Sequence, residues 1–534
     1  MDDELGFCRT DGTALTSDDS HSMAEIETSI LSKPNNPPLN STPAPTTALM
    51  EQQSAGTTQE LKKRQRLAPI AVASLIIAAI VIGGYFYFTA KPTIQSIAVM
   101  PFVNTSGNAD IEYLSDGMTE TLISSLSQLP NLNVKARSSV FRYKGKETNP
   151  QTIGKELNVQ AVLNGRVVQR GDQLTLNLEL TDARTENVIW SEQYNRKQAD
   201  LVALQGEIAR DVLVKLKTKL SGADAQKLAK TYTTNAEAYK LYLQGRFYWN
   251  KRAGKEFDKA ESYFQQAIAK DPNFALGYVG LADTNEDVDR PKKKEYIRRA
   301  LQLDDELAEA HASLGYQYML DYDWAASERE LKRAMELNPN YAQAHQWNGA
   351  RLMMLGKLDE SLVSLKRALE IDPTSNGINF YMAIWLYVSG KNDESVQQFK
   401  KLAEMEPTLP WPHRWLSRIY RQLGERAASV EERAKALEIE GRSEDARVIR
   451  DSFAKGGWNG YLHECVRLTY GPSVLNNSTI LVELGEKEKA IDMLVKAGEK
   501  GDFWLFLIKS DPFMAQLRTD PRFQELLRKF NQPQ

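Results

Sequence analysis

Apolar residues fall into three rhythms along this chain. The first is a continuous run from Leu67 to Ala90, twenty-four residues without a charge between Arg66 and Lys91. At about 1.5 Å per residue a helix of that length crosses a hydrocarbon layer of about 30 Å, so the run predicts a single transmembrane helix over 67–90. It ends in Tyr85-Phe86-Tyr87-Phe88, which fits an interfacial aromatic belt better than the small residues of a cleaved leader. The second rhythm, from Ile94, alternates short apolar runs with helical ones. Ile97 to Phe102 predicts a buried strand, Leu114 a helix running to Pro130, and Leu132 to Val134 a second strand. Asn149-Pro150 is a capped helix start. Val159 to Arg170 and Gln173 to Asp182 predict a hairpin about Gly171-Asp172, Val188 to Trp190 another strand, and Leu201 to Leu220 an amphipathic helix. The third rhythm, from Ala238, is helical throughout and repeats itself. Prolines at 339, 373 and 407 stand 34 residues apart, and Asp305 and Gly441 continue the grid.

The repetition reaches side chains whose size matters where two helices touch. Small residues recur at Gly315, Gly349, Ala383 and Ser417, again at Ser327, Ser361, Ser395 and Ser429, and at Ala334, Ala368 and Ala436, with Leu402 breaking the last series. This period and these positions match the tetratricopeptide repeat, a helix pair that stacks into a solenoid. Ala308 to Pro339 and Ala342 to Pro373 fit without a gap. Ala238 to Pro272, Ala275 to Asp305, Pro410 to Gly441 and Gly471 to Asp502 are further copies, about seven in all across 236–534. Residues 442–470 predict a divergent helical pair around Gly456-Gly457-Trp458-Asn459-Gly460. The end carries a short duplication, Asp511-Pro512-Phe513 and Asp520-Pro521-Arg522-Phe523, expected to form the capping helix that a solenoid needs.

The middle segment has its own likeness. The phrases IAVMPFVNTSGNADIEYLSDGMTETLISSLSQLPNLNV, IGKELNVQAVLNGRVVQRGDQLTLNLEL and TENVIWSEQY resemble the TolB-type (FlgO-like) amino-terminal domain over residues 94–220. Domains of that type occur outside the membrane in bacterial kinase, cyclase and winged-helix receptors. The resemblance therefore implies a non-catalytic α/β interaction or sensing module. The fold class expected for the whole chain is α+β: a disordered tail over 1–66, the span at 67–90, a mixed α/β domain over 94–220 and an all-α solenoid over 236–534 with a C-terminal cap.

Charge sets orientation and removes several kinds of chemistry. Residues 1–60 hold ten acidic and two basic side chains, with five prolines between Pro34 and Pro45, too polar to offset their ordering entropy. Lys62, Lys63, Arg64 and Arg66 precede the apolar run and only Lys91 follows it closely. The positive-inside rule then predicts a cytoplasmic tail and periplasmic domains on a bacterial inner membrane. With 67 Lys plus Arg against 70 Asp plus Glu, the chain lacks the basic field that binds nucleic acid. Cys8 and Cys465 are the only cysteines, so neither a disulfide framework nor a sulfur-rich zinc site is available. Phe7 to Leu15 resembles the last knuckle of a zinc ribbon, with Asp11 where a second cysteine is usual, and supplies too few ligands for zinc. His311, His345 and His413 share one position in three repeats, but stacked helices lie about 8–10 Å apart and bring no two of them onto one metal ion. His463-Glu464 lacks the second histidine of a zinc protease. The loop from Phe102 to Glu120 has no glycine-rich phosphate signature, and Asp110, Glu112 and Asp116 put negative charge where phosphate would lie. The chain is expected to bind no cofactor and no metal and to be no enzyme.

What remains is an interaction surface. Carried through the tetratricopeptide resemblance, the inner-groove positions are Tyr239, Tyr242, Arg246 and Trp249 in the first copy, Tyr316, Met319 and Leu320 in the third, and Met353 and Met354 in the fourth. Phe380, Ile384, Tyr387 and Val388 follow in the fifth, and Trp411, Arg414, Arg418 and Arg421 in the sixth. The arginines, spaced by four and three, share one helix face, and beside an apolar trough they predict a groove for a peptide carboxylate. The alternative is a solvated face neutralised by Glu404, Glu425 or Glu431. The function expected is a membrane-anchored scaffold or sensor, attached through Leu67 to Ala90, that binds protein or peptide partners in the periplasm and is compatible with homo-oligomers. A transmembrane signalling or transcription regulator without its cytoplasmic effector, or an envelope assembly or transport scaffold, is the alternative.

Overall fold

The computed structural model describes residues 94–531 apart from 109–110, 217–220, 252–253, 285–289, 469–473, 500–502 and 509–510. The tail at 1–66, its zinc-ribbon-like start and the apolar run at 67–90 lie outside the described residues. One component of the expected fold class is corrected: among the described residues no helix is long and apolar enough to cross a membrane. Hydropathy measures the length of an apolar run and says nothing about whether its backbone closes into a helix.

A mixed sheet comes first. Strands β1 (Ser96–Val99), β2 (Val103–Asn104), β3 (Asn133–Val134), β4 (Ala161–Arg170), β5 (Gln173–Asp182) and β6 (Val188–Lys197) lie in the order β3-β1-β4-β5-β6, with β2 beside β4. β1 runs parallel to β3 and β4, whereas β4, β5 and β6 are antiparallel neighbours. Ile97, Ala98 and Val99 are all fully buried, as suits a parallel strand covered on both faces. In β5 the alternate residues Leu174, Leu176, Leu178 and Leu180 are enclosed, with Thr175, Asn177 and Glu179 on the wetter face and Thr181 buried near the strand's end. β6 extends to Lys197, well past the apolar triplet that marked it, because its outer half pairs by backbone with β5 and needs no apolar side chains. Helices α1 (Glu112–Ser127), α2 (Arg137–Phe141), α3 (Pro150–Leu157), α4 (Leu201–Leu216) and α5 (Gly222–Ala229) accompany the sheet. Asn149 caps α3 by accepting from the Thr152 amide, with Pro150 in its first turn.

The solenoid follows as helix pairs: α6 (Ala236–Trp249) with α7 (Gly254–Lys270), α8 (Ala275–Thr284) with α9 (Arg290–Leu303), α10 (Ala308–Leu320) with α11 (Trp324–Leu337), and α12 (Ala342–Met354) with α13 (Leu358–Ile371). Next come α14 (Asn376–Val388) with α15 (Asn392–Met405) and α16 (Trp411–Leu423) with α17 (Arg426–Ile439). The outer helices α11, α13, α15 and α17 begin 34 residues apart each time. Segment α18 (Ser443–Leu468) is two helices meeting at Gly457, whose φ of 58° no ordinary helical residue adopts. Then follow α19 (Val474–Glu483), α20 (Lys487–Glu499), two 3-10 turns at Phe503–Ile508 and Pro512–Leu517, and α21 (Pro521–Asn531).

Each repeat is held by the small residues of the period. The Ser361 hydroxyl donates to the Gly349 carbonyl at 2.7 Å, Ser395 to Ala383 at 2.8 Å and Ser429 to Ser417 at 2.8 Å, so one bond recurs between inner and outer helix. Such an approach leaves no room for bulk: a Cβ on Gly349 would lie 2.7 Å from Leu365 Cγ, and one on Gly315 at the same distance from Leu331 Cγ. Helix propensity by itself favours alanine over glycine by up to about 1 kcal/mol. Gly349→Ala is therefore expected to reveal packing by its sign: it should destabilise the chain by about 1–3 kcal/mol, the usual cost of an overfilled contact, read as a lower chemical-denaturation midpoint at unchanged slope. A neutral or stabilising result would show that the helices have slack at this contact.

Candidate functional site

The α/β layer and the solenoid are joined by a continuous core and a polar seam. Ala238, Tyr239 and Leu243 of α6 and Phe274 in the turn between α7 and α8 belong to the same apolar cluster as Leu114, Met118 and Leu122 of α1. Helix α1 ends at Ser127, and its last carbonyls lack partners within the helix. Asn340, in the loop between α11 and α12, supplies one for Ser127: its amide nitrogen lies 2.9 Å from that carbonyl oxygen, and 3.1 and 2.8 Å from those of Leu129 and Leu132 in the segment that follows the helix. Its own oxygen accepts from Arg367 at 2.7 Å, and Asn338 donates to the Ser127 hydroxyl at 2.8 Å. One repeat later, Asp372 accepts from the hydroxyls of Ser138 and Ser139 at the start of α2. Beside it, the Ala136 amide donates to the Ile371 carbonyl at 3.1 Å and the Lys135 ammonium to the Glu370 carbonyl. Burial raises the Asp372 carboxyl, against the serine hydrogen bonds that lower it, and burial lowers the Lys135 ammonium.

A buried ion cluster fixes the other end of the seam. Glu120 of α1 takes Arg246 of α6 through Nε at 2.7 Å and Nη2 at 2.5 Å, Arg137 at 3.1 Å and Asn250 at 2.7 Å. The three charged side chains are only 16–22% exposed. Arg246 also stacks over Trp249, 4.2 Å from the ring centre. Burial works to raise the Glu120 carboxyl, but Arg246 and then Arg137 outweigh it and hold it below the ordinary glutamate range.

Between these attachments a cleft of about 1950 Å³ is left open. Its solenoid wall presents Tyr242, Trp249, Tyr341 and Trp411 together with Asp283 and Glu309; its α/β wall presents Ser124, Ser125 and Gln128. Arg142, Lys146, Arg210 and Lys401 stand exposed around it, with Asp258, Glu404 and Glu406 among them. Burial, then Glu309 and Asp283, push the Tyr341 phenol well above its ordinary value, so it stays a neutral donor.

Of the residues expected in the groove, Tyr239, Tyr242, Arg246 and Trp249 do line this cleft. The others are placed differently. Tyr316, Met319, Met353, Met354, Phe380, Ile384, Tyr387 and Trp411 are all buried in one core, where Tyr316 stacks on Trp347 at 4.8 Å and Phe380 meets Trp411 edge-on at 5.1 Å. Trp411 alone of these also reaches the cleft wall. Neighbouring inner helices press their apolar stripes together, so a Met and aromatic stripe at helical spacing is packing. The arginine face is corrected too: it is neither an open carboxylate site nor a solvated surface. Arg414 is half-buried against Glu440 at 2.7–2.8 Å. Arg418 is buried against Asp511, and Arg421 bonds Thr479 at 2.5 Å with Glu483 at 3.5 Å. Of the three glutamates expected to neutralise them, Glu431 pairs with Arg450 at 2.7 Å.

Two of the three histidines at the shared repeat position bridge inner and outer helices, and the third bonds the turn before its own helix. His311 Nδ1 pairs with Glu330 at 2.7 Å and His413 Nδ1 with Glu432 at 2.6 Å, while His345 Nε2 bonds the Pro339 carbonyl at 3.0 Å. Among the described residues no group of three metal-ligating side chains converges. Sequence reasoning missed Asn338, Asn340 and Asp372; their one visible signal was a polar residue beside a proline of the 34-residue grid, which reads as turn chemistry.

Comparison with known proteins gives matches over parts of the chain. A family model described as the second domain of HilA/YgeH-like transcriptional regulators matches residues 93–211. A protein named "Putative adenylate cyclase 3" from Rhizobium meliloti (strain 1021) is 33% identical over 196 residues, 36% of this chain. The chain spans about a third of that curated relative, 32% of its length. Among solved structures, TTC0263, a thermophilic TPR protein of Thermus thermophilus, is 21% identical with a TM-score of 0.29, covering 32% of this chain and 92% of its own. YrrB, a TPR protein titled as having an unusual peptide-binding site, is 21% identical with a TM-score of 0.27, covering 35% and 97%. A monomeric mutant of IFIT1 with Gppp-AAAA is 15% identical with a TM-score of 0.37, covering 62% and 88%. By its own 34-residue period of paired helices, the later part of the chain has the fold of a tetratricopeptide-type solenoid, and an α/β layer precedes it.

The Glu120 cluster gives a signed pH dependence. A carboxyl whose folded value is lowered adds stability above its unfolded value, about 4.3, and loses it as pH falls through the lower folded value. Glu120→Gln is expected to cost about 3 kcal/mol at pH 7 by removing the carboxylate that two largely buried guanidinium groups share, with Asp283, 4.0 Å from Arg246, offsetting only part of the charge. It should also flatten the acid limb of the stability curve below about pH 4.3 relative to the parent chain. Thermal melts of both chains from pH 3 to 7 measure it; parallel acid limbs would show that Glu120 gains nothing from its partners.

Proposed function

We propose that this chain is a non-catalytic scaffold that receives a segment of a protein partner in the cleft between the α/β layer and the inner helices. The observation that supports the reading is the cleft itself. Its volume, about 1950 Å³, is roughly twice the upper end of the 300–1,000 Å³ range of small-molecule pockets. Its lining of Tyr, Trp and Arg within a charged rim has the composition of protein interfaces.

A second reading is favoured by the regulator-type match over residues 93–211 and by the partial likeness to the cyclase-named protein. In it the α/β layer, read as TolB-like, and the repeats are the sensing part of a signalling or regulatory receptor. Cleft and partner class are the same in both readings; they differ in whether occupancy reports a stimulus.

The test is in-cell photocrosslinking of the full chain with a benzophenone amino acid at Glu404, on the cleft, or at Val363, 70% exposed on α13 and outside it. Discrete protein adducts at Glu404 that are absent at Val363 are expected. Indistinguishable patterns at the two positions would remove the cleft as the binding site. The same adduct under every growth condition favours the constitutive scaffold, and an adduct that changes with condition favours the sensor.

A further inference from the structure

The last repeats hold a short piece of the chain's own C-terminus in the manner of a bound peptide. Asp511 is wholly buried, and its carboxylate bonds the Arg418 guanidinium with one oxygen and accepts from the Phe513 amide at 2.9 Å with the other. That second bond starts the 3-10 turn Pro512–Leu517, whose Met514 and Leu517 pack in the same core as Tyr387 of α14 and Trp415 of α16. The Phe513 ring lies under Arg421, 4.5 Å from its guanidinium carbon.

This attachment is not what a plain end-cap requires. Closing a solenoid end takes apolar burial, and replacing a buried ion pair by apolar residues is often neutral or stabilising. Here two guanidinium groups, each side chain 5% exposed or less, are enclosed with incomplete bonding. Arg418 Nε and Arg421 Nη1 make no hydrogen bond, and neither does Glu483 Oε2, 3.5 Å from that Nη1. The chain contains its own control in the duplicated phrase. Asp520-Pro521-Arg522-Phe523 also opens a helix and buries Phe523, yet Asp520 merely bonds Arg522 at the surface. An Asp-Pro turn therefore closes this end without burying its carboxylate.

We infer that the surface formed by Tyr387, Arg418, Arg421 and Thr479 is a receptor for a peptide segment in which an aspartate opens a tight turn followed by apolar side chains, and that Asp511–Leu517 is its resident, competing occupant. The external occupant is such a segment of another protein, recognised by its carboxylate at Arg418 and by apolar anchors where Met514 and Leu517 now sit. This deepens the protein-binding reading at a surface separate from the cleft. A chain that captures a partner at Glu404 and ignores the peptide would overturn this inference alone.

The probe is a fluorescent synthetic peptide with the sequence of residues 509–519, titrated into the full chain, with hydrogen exchange of the resident 511–517 amides followed in parallel. Excess peptide is expected to speed exchange of those amides at least tenfold. The peptide with Asn in place of Asp511 should bind at least tenfold more weakly. Asp511→Asn in the chain, which loosens the resident segment, should tighten binding of the parent peptide at least tenfold. Equal binding of the two peptides, or unchanged exchange at saturating peptide, would overturn the proposal. If Asp511→Asn does not fold, the parent-chain measurements decide it in the same way.

Discussion

The Ser127 carbonyl at the end of α1 and the Leu132 carbonyl of the segment after it must be bonded somewhere, and the side chain that bonds them belongs to the solenoid. Asn340 reaches three carbonyls of the α/β layer while Arg367 holds its oxygen from the other side. A buried polar group left without a partner costs about 1–3 kcal/mol, so the layer has a strong reason to sit against this repeat. Asp372 repeats the arrangement 32 positions further along the chain, and Glu120 secures the opposite end through Arg246. The cleft is what these three attachments leave between them. Its walls are therefore set by polar contacts that tolerate little sliding, and its floor by the core shared by α1 and α6.

Both ends of the solenoid use buried arginines, with different degrees of satisfaction. At the first repeat, Arg246 faces a carboxylate shared with Arg137 and Asn250 and lies on a tryptophan ring, an arrangement that uses its planar fork well. At the last repeats, Arg418 and Arg421 lie close enough that each disfavours the other's charge, and Asp511 arrives from outside the repeat period to offset them. Removing either cluster's carboxylate leaves buried positive charge, so both are local points of high consequence. The first joins two layers permanently by a common core. The second is made by a short turn whose hold depends on a few apolar side chains and one carboxylate.

Much of the architecture could be read before any coordinates. The strand at Ile97, the hairpin about Gly171-Asp172, the capped helix at Asn149 and the repeats with their small contact residues follow from local pattern, because each depends on neighbours within about one repeat. Ser361 and Gly349 show why: their bond spans twelve residues and recurs at Ser395 and Ser429 in the next two copies, so the period exposes it. The groove residues were less legible. Periodicity identifies the apolar face of an inner helix, but whether that face meets solvent or the next helix depends on how tightly the repeats wind, and Tyr316 against Trp347 settles it as packing.

The sequence by itself determined the repeat period, the α/β character of the middle segment, the paired contacts inside each repeat, and the absence of a sulfur-rich metal framework, since these are short-range or compositional properties. Tertiary structure alone decided which polar side chains are joined. Asn340 finds carbonyls 208 to 213 residues away, Asp372 finds serines 233 and 234 away, and Arg418 finds Asp511 93 away. No local pattern encodes such pairings. Each arises because burial removes water as a partner and leaves a polar group only what the fold brings within reach.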